Sequence, residues 1–195
     1  VGSWLRRDGM RQVIDAVSDD TLLVIDEAYV EYAEGEDYAS ALDDLKASSK
    51  NWIILRTFSK AYGLAGLRIG LAITGDRRMA AYLNRPRTPF NTNAIAQAAA
   101  LAALGDGEHL RKTVDLAVRE RERVARELVS KGYRIAPSRG NFIFFDCGDN
   151  AVKFSEALLG KGVITKPWKQ EGFDTFVRVS IGLRSENDHF LASLP

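Results

Sequence analysis

Two apolar runs set the terms for this fold. Leu22-Leu23-Val24-Ile25 closes on Asp26, and Trp52-Ile53-Ile54-Leu55 leads into Arg56 and Thr57. Short uninterrupted runs bounded by polar residues read as strands buried on both faces, as in parallel sheets. Helical spacing surrounds them. Leu5, Met10, Val13, Ile14 and Val17 mark a helix over 4–17, and 39–47 reads as a second. A Gly-rich stretch, 63–70, precedes a third short strand at 71–74. Strands alternating with helices predict an α/β region with a parallel sheet.

Beyond residue 76 the pattern changes. Helices are expected over 77–84, 93–104 and 110–131, with Gly105-Asp106-Gly107 as the hinge between the last two. Strands at 133–135, 142–146, 163–165 and 176–181, with helices at 151–159 and 185–193, predict a smaller α+β unit. The chain is therefore divided at the hinge, into residues 1–104 and 105–195.

Composition narrows the function. The 27 Lys and Arg against 26 Asp and Glu leave a net charge of +1, without the cationic excess that nucleic acid demands. A single cysteine, Cys147, rules out an internal disulfide and a cysteine-rich zinc site. The two histidines, His109 and His189, lie far apart, and no metal site is predicted. The longest apolar run, near 94–104, is too short to span a bilayer. Residues 1–7 lack the apolar core of a signal peptide. A cytoplasmic protein without nucleic-acid or membrane partners is expected.

Chemistry-bearing residues gather at predicted strand ends, where open α/β sheets bind ligands. Asp26 closes the first strand, with Tyr29 just after it. Thr57, Ser59 and Lys60 follow the second, and Arg68 stands in the Gly-rich turn. Hydroxyls and a guanidinium suit a phosphate. A carboxylate suits a cationic nitrogen. A desolvated lysine can act as a nucleophilic amine. Pyridoxal 5'-phosphate offers all three complements: phosphate, ring nitrogen and aldehyde.

The segment Thr57-Phe58-Ser59-Lys60-Ala61-Tyr62-Gly63-Leu64-Ala65-Gly66-Leu67-Arg68-Ile69-Gly70 resembles the lysine signature of fold-type I pyridoxal-phosphate aminotransferases. Asp26-Glu27-Ala28-Tyr29, Asn141-Phe142-Ile143-Phe144-Phe145 and Arg178-Val179-Ser180-Ile181-Gly182 extend the likeness. In order and spacing the set is most similar to the histidinol-phosphate aminotransferases. The resemblance implies the second part of the cofactor-binding large domain, a mostly parallel sheet flanked by helices, followed by a small α+β domain.

It also implies roles. Lys60 would form the Schiff base with the cofactor and shuttle a proton between the substrate α-carbon and the cofactor's C4' carbon. Asp26 would keep the pyridine nitrogen protonated, and Tyr29 would bond the ring hydroxyl. Thr57, Ser59 and Arg68 would hold the phosphate. Arg178 would clamp the substrate carboxylate with its two-donor fork. Lys166 stands where related enzymes often carry an arginine near the substrate's distal group, and Asn141 is a further candidate for substrate contact.

The implied reaction is amino transfer between histidinol phosphate and 2-oxoglutarate, in a homodimer. An aromatic amino acid aminotransferase, a threonine-phosphate decarboxylase and a non-catalytic relic are the alternatives. The family's Asn-Pro-x-Asn-Pro-Thr-Gly segment would stand just upstream, with Gly2 as its last glycine. The chain is accordingly expected to be a C-terminal half. Such a half has an incomplete sheet with an exposed edge, binds cofactor poorly and turns over slowly or not at all.

Overall fold

A computed structural model describes residues 1–33 and 35–195. The chain divides into two compact units. One is Leu5–Thr113; the other joins Val1–Trp4 to Val114–Pro195.

In the first unit, helix α1 (Arg7–Ala16) leads to strand β1 (Leu22–Asp26), short helices α2 (Val30–Ala33) and α3 (Leu42–Lys46), and strand β2 (Asn51–Thr57). A single 3-10 turn at Ala65–Leu67 interrupts the link to β3 (Gly70–Ile73). Helices α4 (Arg77–Asn84) and α5 (Ala94–Gly105) follow, and α6 (Gly107–Ser130) runs on into the second unit. The strand order is β1-β2-β3. β1 and β2 are parallel, with Asp26 opposite Leu55.

Three expectations change here. β3 runs antiparallel to β2, pairing Thr57 with Gly70. A parallel return needs a crossover, usually a helix. The link 58–69 offers only the 3-10 turn, so the chain folds straight back. β1 is covered on one face alone. Leu23 and Ile25 pack with Ile14, Ala41, Leu45, Trp52 and Ile54, while Leu22 and Val24 are 42% and 50% exposed. An apolar run records which residues could be buried, and it carries no count of the layers available to bury them. The helix expected over 39–47 shrinks to α3, because the Ala41 N–H donates to the Glu27 carboxylate (2.8 Å) and the Ser40 hydroxyl accepts from Leu42 (3.1 Å).

The second unit holds β4 (Arg134–Ala136), β5 (Phe142–Asp146), helix α7 (Ala151–Leu159), β6 (Lys166–Pro167), β7 (Phe176–Ser180) and helix α8 (Arg184–Ser193). Its sheet is antiparallel throughout, in the order β4-β5-β7-β6. Ile143, Phe145, Val177 and Val179 point to one face and join Val124, Leu128, Phe154, Leu158 and Phe190 in the core. That period of two leaves Phe142, Phe144, Phe176 and Arg178 on the other face. The strand expected at 163–165 is displaced to β6. The Val163 N–H instead donates to the Leu158 carbonyl (3.0 Å) beside Gly162 at φ +81°, closing α7 with a left-handed cap. Two further contacts tie the start of the chain to this unit. The Arg139 N–H donates to the Gly2 carbonyl (2.8 Å), and the Arg139 guanidinium lies 4.6 Å from the Trp4 ring centre. Among the described residues no helix is long and apolar enough to cross a membrane.

Candidate active site

The parallel pairing of β1 and β2 puts their carboxyl ends side by side. Asp26 ends one and Thr57 the other. Past β1 the chain turns at once. The Asp26 carboxylate accepts the Ala28 N–H (3.0 Å) and stays exposed. A capping role and a ligand role are compatible here, since one carboxylate has several lone pairs. Tyr29, in the same turn, is half-buried with its ring 6.5 Å from that of Tyr32. Burial, with Glu31 and Tyr29 nearby, pushes the Tyr32 phenol up to about 12.

Past β2, Thr57 Oγ1 accepts the Ser59 N–H (3.0 Å), leaving the Thr57 hydroxyl proton available to a ligand. Phe58 and Ala61 are buried and root the loop. The Phe58 ring packs 5.0 Å from Tyr62, and the Gly63 N–H closes the turn on the Lys60 carbonyl (2.9 Å). This arrangement leaves Ser59 and Lys60 half-buried between the anchors. Lys60 Nζ lies 5.3 Å from the centre of the Tyr29 ring. Two of the predicted residues, from separate strands, are thus brought together.

Arg68 is exposed, and its guanidinium donates to the Ala65 carbonyl (2.9 Å). Its backbone is left-handed, at φ 54° and ψ 54°. A side chain in that region costs roughly 1–2 kcal/mol, and such strain concentrates at functional sites.

The remaining three candidates lie in the second unit. Arg178 is half-buried, paired with Phe144 on one side and Lys166 on the other. Its guanidinium sits 5.0 Å from the Phe142 ring centre. Lys166 is exposed, with its ammonium 5.4 Å from the Trp168 ring. Like charges directly opposed on two strands destabilise a sheet. Aromatic faces nearby offset this in part. Phe144 stacks on Phe176 at 4.9 Å and meets Trp168 edge-on at 5.3 Å. Asn141 is half-buried, and its carbonyl accepts the Ile181 N–H (2.8 Å).

Sequence reasoning passed over one group. Glu27 has a side chain 1% exposed, ion-paired to Arg56 at 2.8 Å. The signal was Arg56 itself. An arginine ending an apolar strand needs an acidic partner when the strand is buried.

The sequence pattern of the aminotransferase class I and II family matches residues 1–194. The chain belongs to that family. It is 63% identical over 194 residues to histidinol-phosphate aminotransferase 1 of Mesorhizobium japonicum, covering 100% of this chain and 53% of that protein. It is 57% identical to histidinol-phosphate aminotransferase 3 of Rhizobium meliloti, covering 100% of this chain and 52% of the relative. The chain therefore spans about half the length of the curated relatives it matches. Among solved structures, histidinol-phosphate aminotransferase from Sinorhizobium meliloti, in complex with pyridoxal-5'-phosphate, superposes with a TM-score of 0.87 at 32% identity. That match covers 100% of this chain and 53% of the other. The resemblance drawn from the lysine and Asp-Glu-Ala-Tyr segments is borne out, as is the α/β fold class. L-threonine-O-3-phosphate decarboxylase from Porphyromonas gingivalis superposes at a TM-score of 0.80 but at 21% identity, which shows a shared fold alone.

Proposed function

We propose that this chain is the lysine-bearing part of a pyridoxal-phosphate enzyme that moves an amino group between histidinol phosphate and 2-oxoglutarate. One observation carries the reading: Lys60 Nζ stands 5.3 Å over the Tyr29 ring, beyond the carboxyl ends of adjacent parallel strands and beside the Asp26 turn. The similarity to histidinol-phosphate aminotransferases over the whole chain supports it. Residues 1–104 are then the end of the large domain and 105–195 the small domain. The complete protein is read as a cytoplasmic homodimer.

The donor set fits the cofactor. Asp26 offers an opposite charge to a protonated ring nitrogen and favours that charged form. Tyr29 offers a phenol to the ring hydroxyl. The Thr57 and Ser59 hydroxyls and the Arg68 guanidinium offer donors to a dianionic phosphate. When bound, the cofactor supplies an electron sink for the pair left at the substrate's α-carbon. The protein supplies the rest. Lys60 Nζ would take the α-proton as a general base and give it back two atoms away, across the nitrogen, as a general acid. The Arg178 fork holds the substrate carboxylate. Lys166 offers a compact cation to the distal group, and Asn141 lies at the entrance of β5 for a polar contact.

The test is covalent trapping. The chain is incubated with pyridoxal phosphate, reduced with borohydride, digested and weighed by mass spectrometry. A single pyridoxyl-phosphate adduct on Lys60 is expected. Adducts spread over surface lysines, with none at Lys60, would overturn the reading. Comparing rates on histidinol phosphate and phenylalanine in the complete protein separates the proposal from the aromatic alternative.

A further inference from the structure

Asp26 and Glu27 are neighbours in sequence and opposites in environment. Successive residues at a strand end face opposite sides, so Asp26 is exposed while Glu27 is 2% exposed. A carboxylate withdrawn from water must be matched by donors. Glu27 is matched fully. Ser40 Oγ donates within 2.9 Å of both oxygens, the Ala41 N–H donates to Oε1 (2.8 Å), and Arg56 Nε and Nη2 donate to Oε2 (3.0 and 2.8 Å). Arg56 Nη2 also donates to Ser40 Oγ (2.8 Å), closing the network.

What the network joins gives it meaning. On one side Glu27 sits inside the turn that carries Asp26 and Tyr29. On the other, Arg56 directly precedes Thr57, whose hydroxyl accepts from Ser59 beside Lys60. We infer that Glu27 is a positioning residue for the candidate site, clamped through Arg56 so that the Asp26–Tyr29 turn and the root of the Thr57–Lys60 loop hold one fixed separation. What it positions rests on the cofactor reading above. The clamp itself rests on the geometry alone. The ladder hydrogen bond from the Glu27 N–H to the Leu55 carbonyl (2.9 Å) sets the register, and the Glu27–Arg56 pair sets the orientation. Losing the charge leaves the part-buried Arg56 guanidinium without its ionic partner and sets an amide NH2 against donors, so both arms shift.

The experiment pairs two readouts on the same variants. Glu27→Gln keeps the volume and removes the charge. Arg56→Met removes the partner, and Arg56→Lys keeps charge without the fork. Amide exchange is followed at 26–30 and 57–60, with β5 and β7 as the internal reference. Pyridoxal-phosphate trapping on Lys60 is titrated in parallel. Glu27→Gln and Arg56→Met are each expected to speed exchange at both segments and to raise the half-saturating cofactor concentration roughly tenfold, with β5 and β7 unchanged. Arg56→Lys should recover part of the loss. The double variant should be no worse than the poorer single, since the pair acts as one. Should Glu27→Gln fail to fold, Ser40→Ala removes one donor and is expected to show a smaller change in the same direction. Unchanged exchange in 26–30 and 57–60 would overturn the inference, as would equal acceleration in β5. If the unaltered chain is never trapped at Lys60, the cofactor reading falls, and the exchange arm still decides the clamp.

Discussion

Gly70 is the sharpest probe of the fold around the site. It pairs with Thr57 across β2 and β3, and a Cβ added there would lie 2.7 Å from the Arg56 carbonyl oxygen. Ordinary contact begins near 3.4 Å, so the strands must part by about 0.7 Å. The hydrogen bond from the Phe58 N–H to the Ile69 carbonyl, 3.2 Å in the native ladder, cannot absorb that and remain a bond. Overpacking costs roughly 1–3 kcal/mol and a lost hydrogen bond about 1 kcal/mol. Replacing glycine returns roughly 0.4–1 kcal/mol by restricting the unfolded chain. Gly70→Ala should therefore destabilise by about 2 kcal/mol. Gly66→Ala is the control, because nothing lies within 4 Å of its added Cβ. It should be neutral or slightly stabilising. Urea unfolding gives both values, and amide exchange at Phe58 locates the damage. Equal midpoints for the two variants would refute the claim that β3 closes on Arg56 in this register.

Two further outcomes follow from packing and titration. Phe145 is fully buried, edge-on to Tyr133 at 5.6 Å and Phe154 at 6.0 Å, so Phe145→Ala should cost about 3–5 kcal/mol in chemical unfolding. A loss below 1 kcal/mol would show that the second unit's core lies elsewhere. The Tyr32 phenol is pushed up to about 12, chiefly by burial. A raised folded value means its contribution to stability is whole below pH 10 and is lost as pH climbs toward 12. Unfolding free energy of Tyr32→Phe should fall less over that window than that of the unaltered chain, and parallel curves would contradict the assignment.

The legible parts of this molecule were those written in local chemistry. The runs 22–25 and 52–55 are strands because their apolar residues leave them little else, and α6 shows in its apolar spacing, although Glu120 and Arg121 are buried on it as well. The lysine segment could be read because its residues are neighbours in sequence. What stayed hidden depends on partners far along the chain. The direction of β3 follows from what its link lacks. The open face of β1 follows from what covers it. The burial of Glu27 follows from Arg56 and Ser40, residues whose own side chains give no hint of Glu27's number. Likewise, the cap at Gly162 competes with the apolar pattern of 163–165 and wins through one hydrogen bond to Leu158.

The left-handed backbone at Arg68 has a consequence of its own. A chain shaped solely to fold would place glycine there, where the missing Cβ removes the penalty. Glycine would also remove the one cation that the turn presents. If Arg68 holds the phosphate as proposed, thermal tolerance and anion affinity pull this position in opposite directions. Arg68→Gly should melt later and, on the proposed role, grip phosphate less, so a search for hardier variants would be drawn to a residue the proposed site uses.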